Sequence, residues 1–161
     1  MKNKKMLLIA AIAILAVVLT TAFTACNTEK KIYEQIFSVC AKQNDLAVTV
    51  KQGDVTVYTY ADGVGSSDFE DLDVDAGAYI EVGKNAGKTL TLDDLASDVK
   101  RSYEEVTGEF EIEGKLANAK KLLGIDVTAN IHLKGNYITG KVEIYEVTYV
   151  HNGFDVTITL V

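Results

Sequence analysis

The strongest constraint in this chain lies near its C-terminus, where apolar and polar residues alternate about a turn dipeptide. Tyr145, Val147 and Tyr149 precede Asn152-Gly153, and Val156, Ile158 and Leu160 follow it. Asn-Gly closes two-residue hairpins readily because both central positions of that turn need a positive φ. Centring the turn there opposes Tyr149 to Val156, Val147 to Ile158 and Tyr145 to Leu160 on one face. Thr148–Thr157 and Glu146–Thr159 then share the other face. A one-residue slip would send every apolar side chain to the solvent side, so the pattern itself specifies the register.

The same reasoning applied upstream takes Gly135-Asn136 as another two-residue turn. It opposes Leu133 to Ile138, Ala129 to Val142 and Val127 to Ile144, with His132–Thr139, Asn130–Lys141 and Thr128–Glu143 behind them. The apolar parity switches near Ile144–Tyr145, which predicts a bulge or bend there. Phe110 and Ile112 alternate with Glu109, Glu111 and Glu113, the rhythm of a strand with an outward acidic face. Residues 115–123 read equally as a short helix ended by Gly124 or as a strand with a turn at Asn118.

The first half mixes both periods. Ile32, Ile36, Phe37 and Cys40 recur at helical spacing, which predicts a helix over 29–42 with Thr28 as its cap. Leu46, Val48 and Val50 alternate up to a turn at Gln52-Gly53-Asp54, and Val55, Val57, Tyr58 and Tyr60 continue beyond it. Residues 61–68 read as a loop. Leu72, Val74, Ala76, Ala78, Ile80 and Val82 alternate, which predicts a strand, with a turn at 83–87. Leu92, Leu95, Val99, Tyr103 and Val106 recur at i, i+3 and i+7 behind Thr91 and Asp94, placed as a capping box, which predicts an inserted helix over 92–105. The expected fold is therefore α+β: an antiparallel β-sheet meander of about six to eight strands, with an N-terminal helix and one inserted helix packed on one face.

The N-terminus carries a different signal. Lys2, Lys4 and Lys5 precede an apolar run from residue 6, and residues 6–25 hold no charge before Cys26. A basic head, an apolar middle and small residues before a cut are the parts of an export signal. Thr24, Ala25 and Cys26 resemble the lipobox of bacterial lipoproteins, with Phe23 standing where Leu or Val is usual. The resemblance covers residues 1–26 and implies a diacylglycerol on Cys26, removal of residues 1–25, and a domain over 26–161 outside the cytoplasmic membrane in the cell envelope. Two other fates fit the residues: an uncleaved span, since 20 uncharged residues cross a hydrocarbon core, or cleavage after Ala22.

Charge narrows the partners. The chain has 16 basic and 23 acidic residues, and loss of the three leading lysines takes the net charge from −7 to −10. Such a surface repels polyanions, so nucleic acid and bare anionic headgroups are not expected partners. With Cys26 lipidated, Cys40 has no disulfide partner and lies on the apolar stripe of its helix, where it reads as a small buried hydrophobe.

No catalytic or cofactor motif emerges, and none is expected. Asp71, Asp73 and Asp75 alternate like the start of a calcium loop. The EF-hand pattern wants Gly and Glu where Ala76 and Val82 stand, so at most a weak divalent site is implied. His132 and His151 fall on different hairpins without a cysteine, a poor zinc set. Ser66 and Ser67 lack the strained turn of a catalytic serine. Tyr58 with Tyr60, and Tyr145 with Tyr149, share strand faces and are the candidate contacts for a protein, glycan or lipid ligand. The expected function is a membrane-tethered, non-catalytic binding module. The alternative is a carrier for an apolar ligand, because a helix before a curved meander resembles lipid-binding lipoproteins with a half-barrel cavity; a hydrolase with a dispersed site stands further off.

Overall fold

The structure, a computed structural model, describes residues 28–43, 45–67, 76–86, 88 and 90–160. Eight strands form one antiparallel sheet in the order β3-β2-β1-β8-β7-β6-β5-β4. In chain order these are β1 (Leu46–Gln52), β2 (Val55–Ala61), β3 (Val64–Ser66), β4 (Lys100–Tyr103), β5 (Glu109–Lys115), β6 (Ala129–Asn136), β7 (Lys141–His151) and β8 (Phe154–Leu160). Among the described residues three α-helices accompany them: α1 (residues 28–40), α2 (Ala76–Ala86) and α3 (Ala119–Leu123). Residues 35–161 form one compact unit that holds the whole sheet, and residues 28–34 belong to a separate unit. The architecture is the α+β meander that the alternating pattern implies.

Parity sorts the two faces of the sheet. Val48, Val50, Ile131, Leu133, Tyr145, Val147, Val156 and Ile158 are all nearly inaccessible, while their strand neighbours are partly or fully exposed. Ile36, Phe37 and Cys40 from α1, Tyr79 and Val82 from α2, and Leu123 from α3 are buried with them. Each such side chain contributes about 1.5–3 kcal/mol by leaving water, enough to hold the domain without a disulfide. Buried tyrosines contribute to this core. The Tyr145 hydroxyl donates to the Ala86 carbonyl at the C-terminal end of α2, satisfying one of the acceptors every helix end leaves over. Asn85 Nδ2 donates to the Leu123 carbonyl at 3.3 Å and ties α2 to α3.

The β7–β8 hairpin has the register read from the sequence. Asn152 and Gly153 take φ of 51° and 81°, and the ladder runs from His151–Phe154 through Tyr149–Val156 and Val147–Ile158 to Glu146–Thr159. The β1–β2 hairpin and the β5 alternation also stand as expected, and α3 followed by Gly124 resolves residues 115–123 as strand then helix.

Four expectations fail. The first is the β6–β7 turn. β6 runs on through Asn136, residues 137–140 make the turn, and Leu133 pairs with Tyr145, not Ile138. Gly135 serves close approach instead: a β-carbon there would overlap the Lys141 carbonyl oxygen. The ladder then shifts between Lys134–Ile144 and Gly135–Val142, so Glu143 is the unpaired residue of a bulge. The expected parity break exists, one residue earlier than placed.

The second failure concerns residues 76–86, which are helical rather than strand and turn. Tyr79, Val82, Gly83 and Ala86 are the buried positions, at i, i+3, i+4 and i+7. A helical face was therefore available inside a segment that also alternates. The third is residues 92–105. Thr91 and Asp94 do bond to each other, the Asp94 carboxylate accepting from the Thr91 N–H at 2.9 Å and from the Thr91 hydroxyl at 2.7 Å. They cap only a single 3-10 turn, Leu92–Asp94. Leu95 then bridges to Leu116, and β4 pairs with β5 as the sheet edge. Leu95 and Val99 are buried by this strand route, and Val106, the last of the expected helical stripe, is 86% exposed. Fourth, residues 61–68 contain the short edge strand β3, paired with β2 across Asp62-Gly63.

Candidate functional site

The face away from the helices carries the polar side chains, and an open groove of about 640 Å³ lies on it across β4 to β7. Register builds it. Glu109, Asn136 and Lys141 stand in one cross-strand row; Ser102, Glu111, Lys134 and Ile144 stand in the next. The bulge adds Glu143 out of sequence with the ladder, which is how a bulge re-aims a side chain. The lining thus includes four carboxylates, from Glu104, Glu109, Glu111 and Glu143, and two ammonium groups, from Lys134 and Lys141.

Two of the groove's carboxylates have a nitrogen partner. Lys141 Nζ lies 3.4 Å from Glu143 Oε1, and His132 Nε2 lies 3.1 Å from Glu111 Oε1. His132 is also the direct cross-strand neighbour of Glu113 and of Glu146, not of Thr139 as the misplaced turn implied. Opposed unlike charges on a solvated sheet face each contribute a few tenths of a kcal/mol. The Ser102 hydroxyl donates to the Glu111 carbonyl at 3.4 Å.

One end of the groove is closed by two turns bound to each other. Asn136 Nδ2 donates to the Thr107 carbonyl at 2.8 Å, and the Tyr137 N–H donates to the Gly108 carbonyl at 2.9 Å. The Asn136 side-chain oxygen accepts from the Ile138 and Thr139 N–H groups at 3.1 and 2.9 Å, so Asn136 starts the turn it was expected to end. Val106 and Ile138, exposed to 86% and 59%, crown these two turns.

The residues singled out in the sequence are distributed differently. Cys26, Asp71, Asp73 and Asp75 lie outside the described residues. Tyr145 and Tyr149 are 1% and 4% exposed and belong to the core, so they form no surface platform. Burial, and then the neighbouring Cys40, pushes the Tyr145 hydroxyl well above its ordinary titration range; burial and Tyr79 do the same for Tyr149. Tyr58 is buried opposite Val50, and burial followed by Tyr60 raises its pKa; Tyr60 is half-buried opposite Val48. The tyrosines alternate with polar residues because they face the helices, where their rings supply apolar area.

Cys40 is buried and its thiol is pushed up to about 12, mainly by desolvation, so it is not primed as a nucleophile. Glu109, Glu111 and Glu113 are exposed on the outward strand face, as their rhythm indicated. Among the described residues, no three of His, Cys, Asp and Glu are placed to hold a metal ion, and no helix is long and apolar enough to cross a membrane. Lys134, Asn136, Lys141 and Glu143 come together only through the β6–β7 register, which is why the sequence reading did not group them.

No protein-family model matches the chain, and no curated protein or solved structure matches it significantly.

Proposed function

We propose that this protein is a non-catalytic binding module held outside the cytoplasmic membrane of a bacterial cell by a lipid on Cys26, with the polar groove as its contact site. The observation that carries the binding reading is the unequal treatment of the two sheet faces. One face is filled by side chains such as Leu133, Ile158 and Tyr145, and the other presents an open groove with charges of both signs. An apolar carrier would need room on the filled face. A mixed-charge groove on a continuous hydrogen-bonded sheet instead favours a polar partner that its side chains meet one by one.

The tether rests on the order of lysines, apolar run, small residues and Cys26. A domain at −10 is repelled by an anionic bilayer, so the anchor supplies the membrane contact. The test is phase partitioning of the expressed full chain. The wild-type protein is expected in the detergent phase, and Cys26→Ser in the aqueous phase. A Cys26→Ser protein that still enters detergent overturns the lipid anchor in favour of an uncleaved span.

A further inference from the structure

We propose that the groove seats a short zwitterionic peptide, its α-ammonium between Glu104 and Glu109 and its carboxylate at Lys134; this rests on the groove being the contact site. The charge pattern of the sheet departs from its own rule at that place. Where the ladder opposes two formal charges among the described residues, their signs are unlike: Lys51 with Asp155, Lys100 with Glu113, Glu111 with Lys134. Glu104 and Glu109 are the exception. The Glu104 N–H donates to the Glu109 carbonyl at 2.8 Å, one step beyond the Tyr103–Phe110 pair. Both side chains line the groove. Two carboxylates directly opposed on one sheet face repel each other, which costs stability.

The repulsion is unanswered inside the protein. Among the described residues, the side chains of Glu104, Glu109 and Lys134 take part in no hydrogen bond or ion pair. Their neighbours are spent: Lys141 on Glu143 at 3.4 Å, Glu111 on His132 at 3.1 Å, and Asn136 on the two turns. The groove therefore keeps two free carboxylates at one end and a free ammonium one row away. Asn136 is the cross-strand partner of Glu109, and Lys134 precedes it by two residues on the same strand face. Lys134 is thus the diagonal neighbour of Glu109, about 7–8 Å away between backbones.

The chemistry selects the ligand. Among the described residues no third metal-ligating side chain joins the two carboxylates in a group placed to hold a metal ion. An ammonium has three donors and bonds both carboxylates at once. A polyamine would meet them too, but it would set a second cation against Lys134. A ligand whose ammonium and anion stand about 7–8 Å apart satisfies all three groups. Two to three residues of extended peptide cover that span, at about 3.3–3.6 Å each. The groove, at about 640 Å³, is within the size of small-ligand pockets, about 300–1,000 Å³.

The test is residue-resolved NMR titration of the full chain, in non-ionic micelles near neutral pH, with trialanine, N-acetyl-trialanine and trialanine amide. Trialanine is expected to shift the amides of Glu109, Glu111, Lys134 and Asn136. Acetylation removes the ammonium and amidation the carboxylate, so each should weaken binding roughly tenfold, the scale of a lost charged hydrogen bond. Glu104→Gln with Glu109→Gln should weaken trialanine binding as much, with a thermal midpoint unchanged or raised because the repulsion is gone. Glu113→Gln with Glu146→Gln removes the same net charge outside the groove and should leave the affinity unchanged. Lys134→Met should abolish the difference between trialanine and its amide. Equal binding of trialanine and N-acetyl-trialanine at these amides overturns the ammonium seat and leaves the groove standing as a contact site. An absence of shifts with all three peptides at millimolar concentration overturns the peptide and leaves the groove to another polar partner. Shifts confined to residues outside the groove overturn both readings.

Discussion

The polar face is divided between two surfaces of different chemistry. Across β4, β5, β6 and the first part of β7 it opposes charges, Lys100 beside Glu113 and Glu111 beside Lys134, and sets the His132 ring between Glu113 and Glu146. Across the rest of β7 and on through β8, β1 and β2 it is dominated by threonine. Both halves lie over the same filled layer, so the difference is not one of stability. Opposed charges on a solvated face are screened by salt, and hydroxyl side chains are not. The comparison teaches that one continuous sheet can present two kinds of surface because alternation frees every second residue from packing.

That view can be broken from beneath. Leu133→Ala under the charged half and Ile158→Ala under the hydroxyl half each remove a side chain that is fully buried. Both should cost about 2–5 kcal/mol in denaturant unfolding, with a single transition. Two transitions, or loss in one variant alone, would show that the halves do not share a core.

Gly135→Ala comes next. A β-carbon there would meet the Lys141 carbonyl oxygen and the Val142 Cα, and relieving that overlap should cost about 1–3 kcal/mol. The displaced Glu143 bulge should perturb amide shifts in the groove and leave those of Thr49 and Thr157 in place.

Asp94→Asn should cost about 1 kcal/mol, the scale of a lost helix cap. Burial pushes the Asp94 carboxyl up, but the Thr91 hydroxyl, the Thr91 N–H and Lys121 at 3.3 Å outweigh it and hold the group below its ordinary range. A depressed carboxylate contributes stability above its unfolded pKa and loses it as pH falls through the folded value. The gap between wild type and Asp94→Asn, measured by thermal melts at several pH values, should therefore be full at neutral pH and narrow in acid. A gap independent of pH would remove the carboxylate's role.

The smallest effect separates the halves most directly. Glu111→Gln should change stability by no more than about 0.5 kcal/mol, and the change should fade with added salt. Thr148→Val should show no salt dependence. Equal salt responses would erase the distinction.

How much of this was legible in the sequence depends on where the deciding contacts lie. The β7–β8 register needed only a dipeptide and the parity of its flanks, all within some twenty residues. The β6–β7 register failed because Gly135-Asn136 imitates a turn. Gly135 is glycine for the approach of a neighbouring backbone, and Asn136 spends its side chain on the turn that follows. Neither role is visible locally. Residues 92–105 carry a true capping box and a true helical stripe, yet β5 takes residues 100–103 as its edge partner, and long-range pairing overrides local propensity. Residues 76–86 satisfy both periods, and burial of Tyr79, Val82, Gly83 and Ala86 on one helical side decides between them. The groove suffered with the register, since half its lining belongs to β6, β7 and the turn between them.

By itself, the sequence determined the class of the fold, the last hairpin, the outward acidic rhythm of β5 and the buried place of Cys40. Each rests on periodicity or on a turn residue, which act through neighbours along the chain. Only the tertiary structure decided which segment became the inserted helix, where β6 ends, and that Tyr145 and Tyr149 fill the core. Those outcomes depend on strands far apart in sequence competing for the same edge and the same buried area. Alternation says that a residue faces one side of a sheet; the packing partner alone says whether that side is interior or surface.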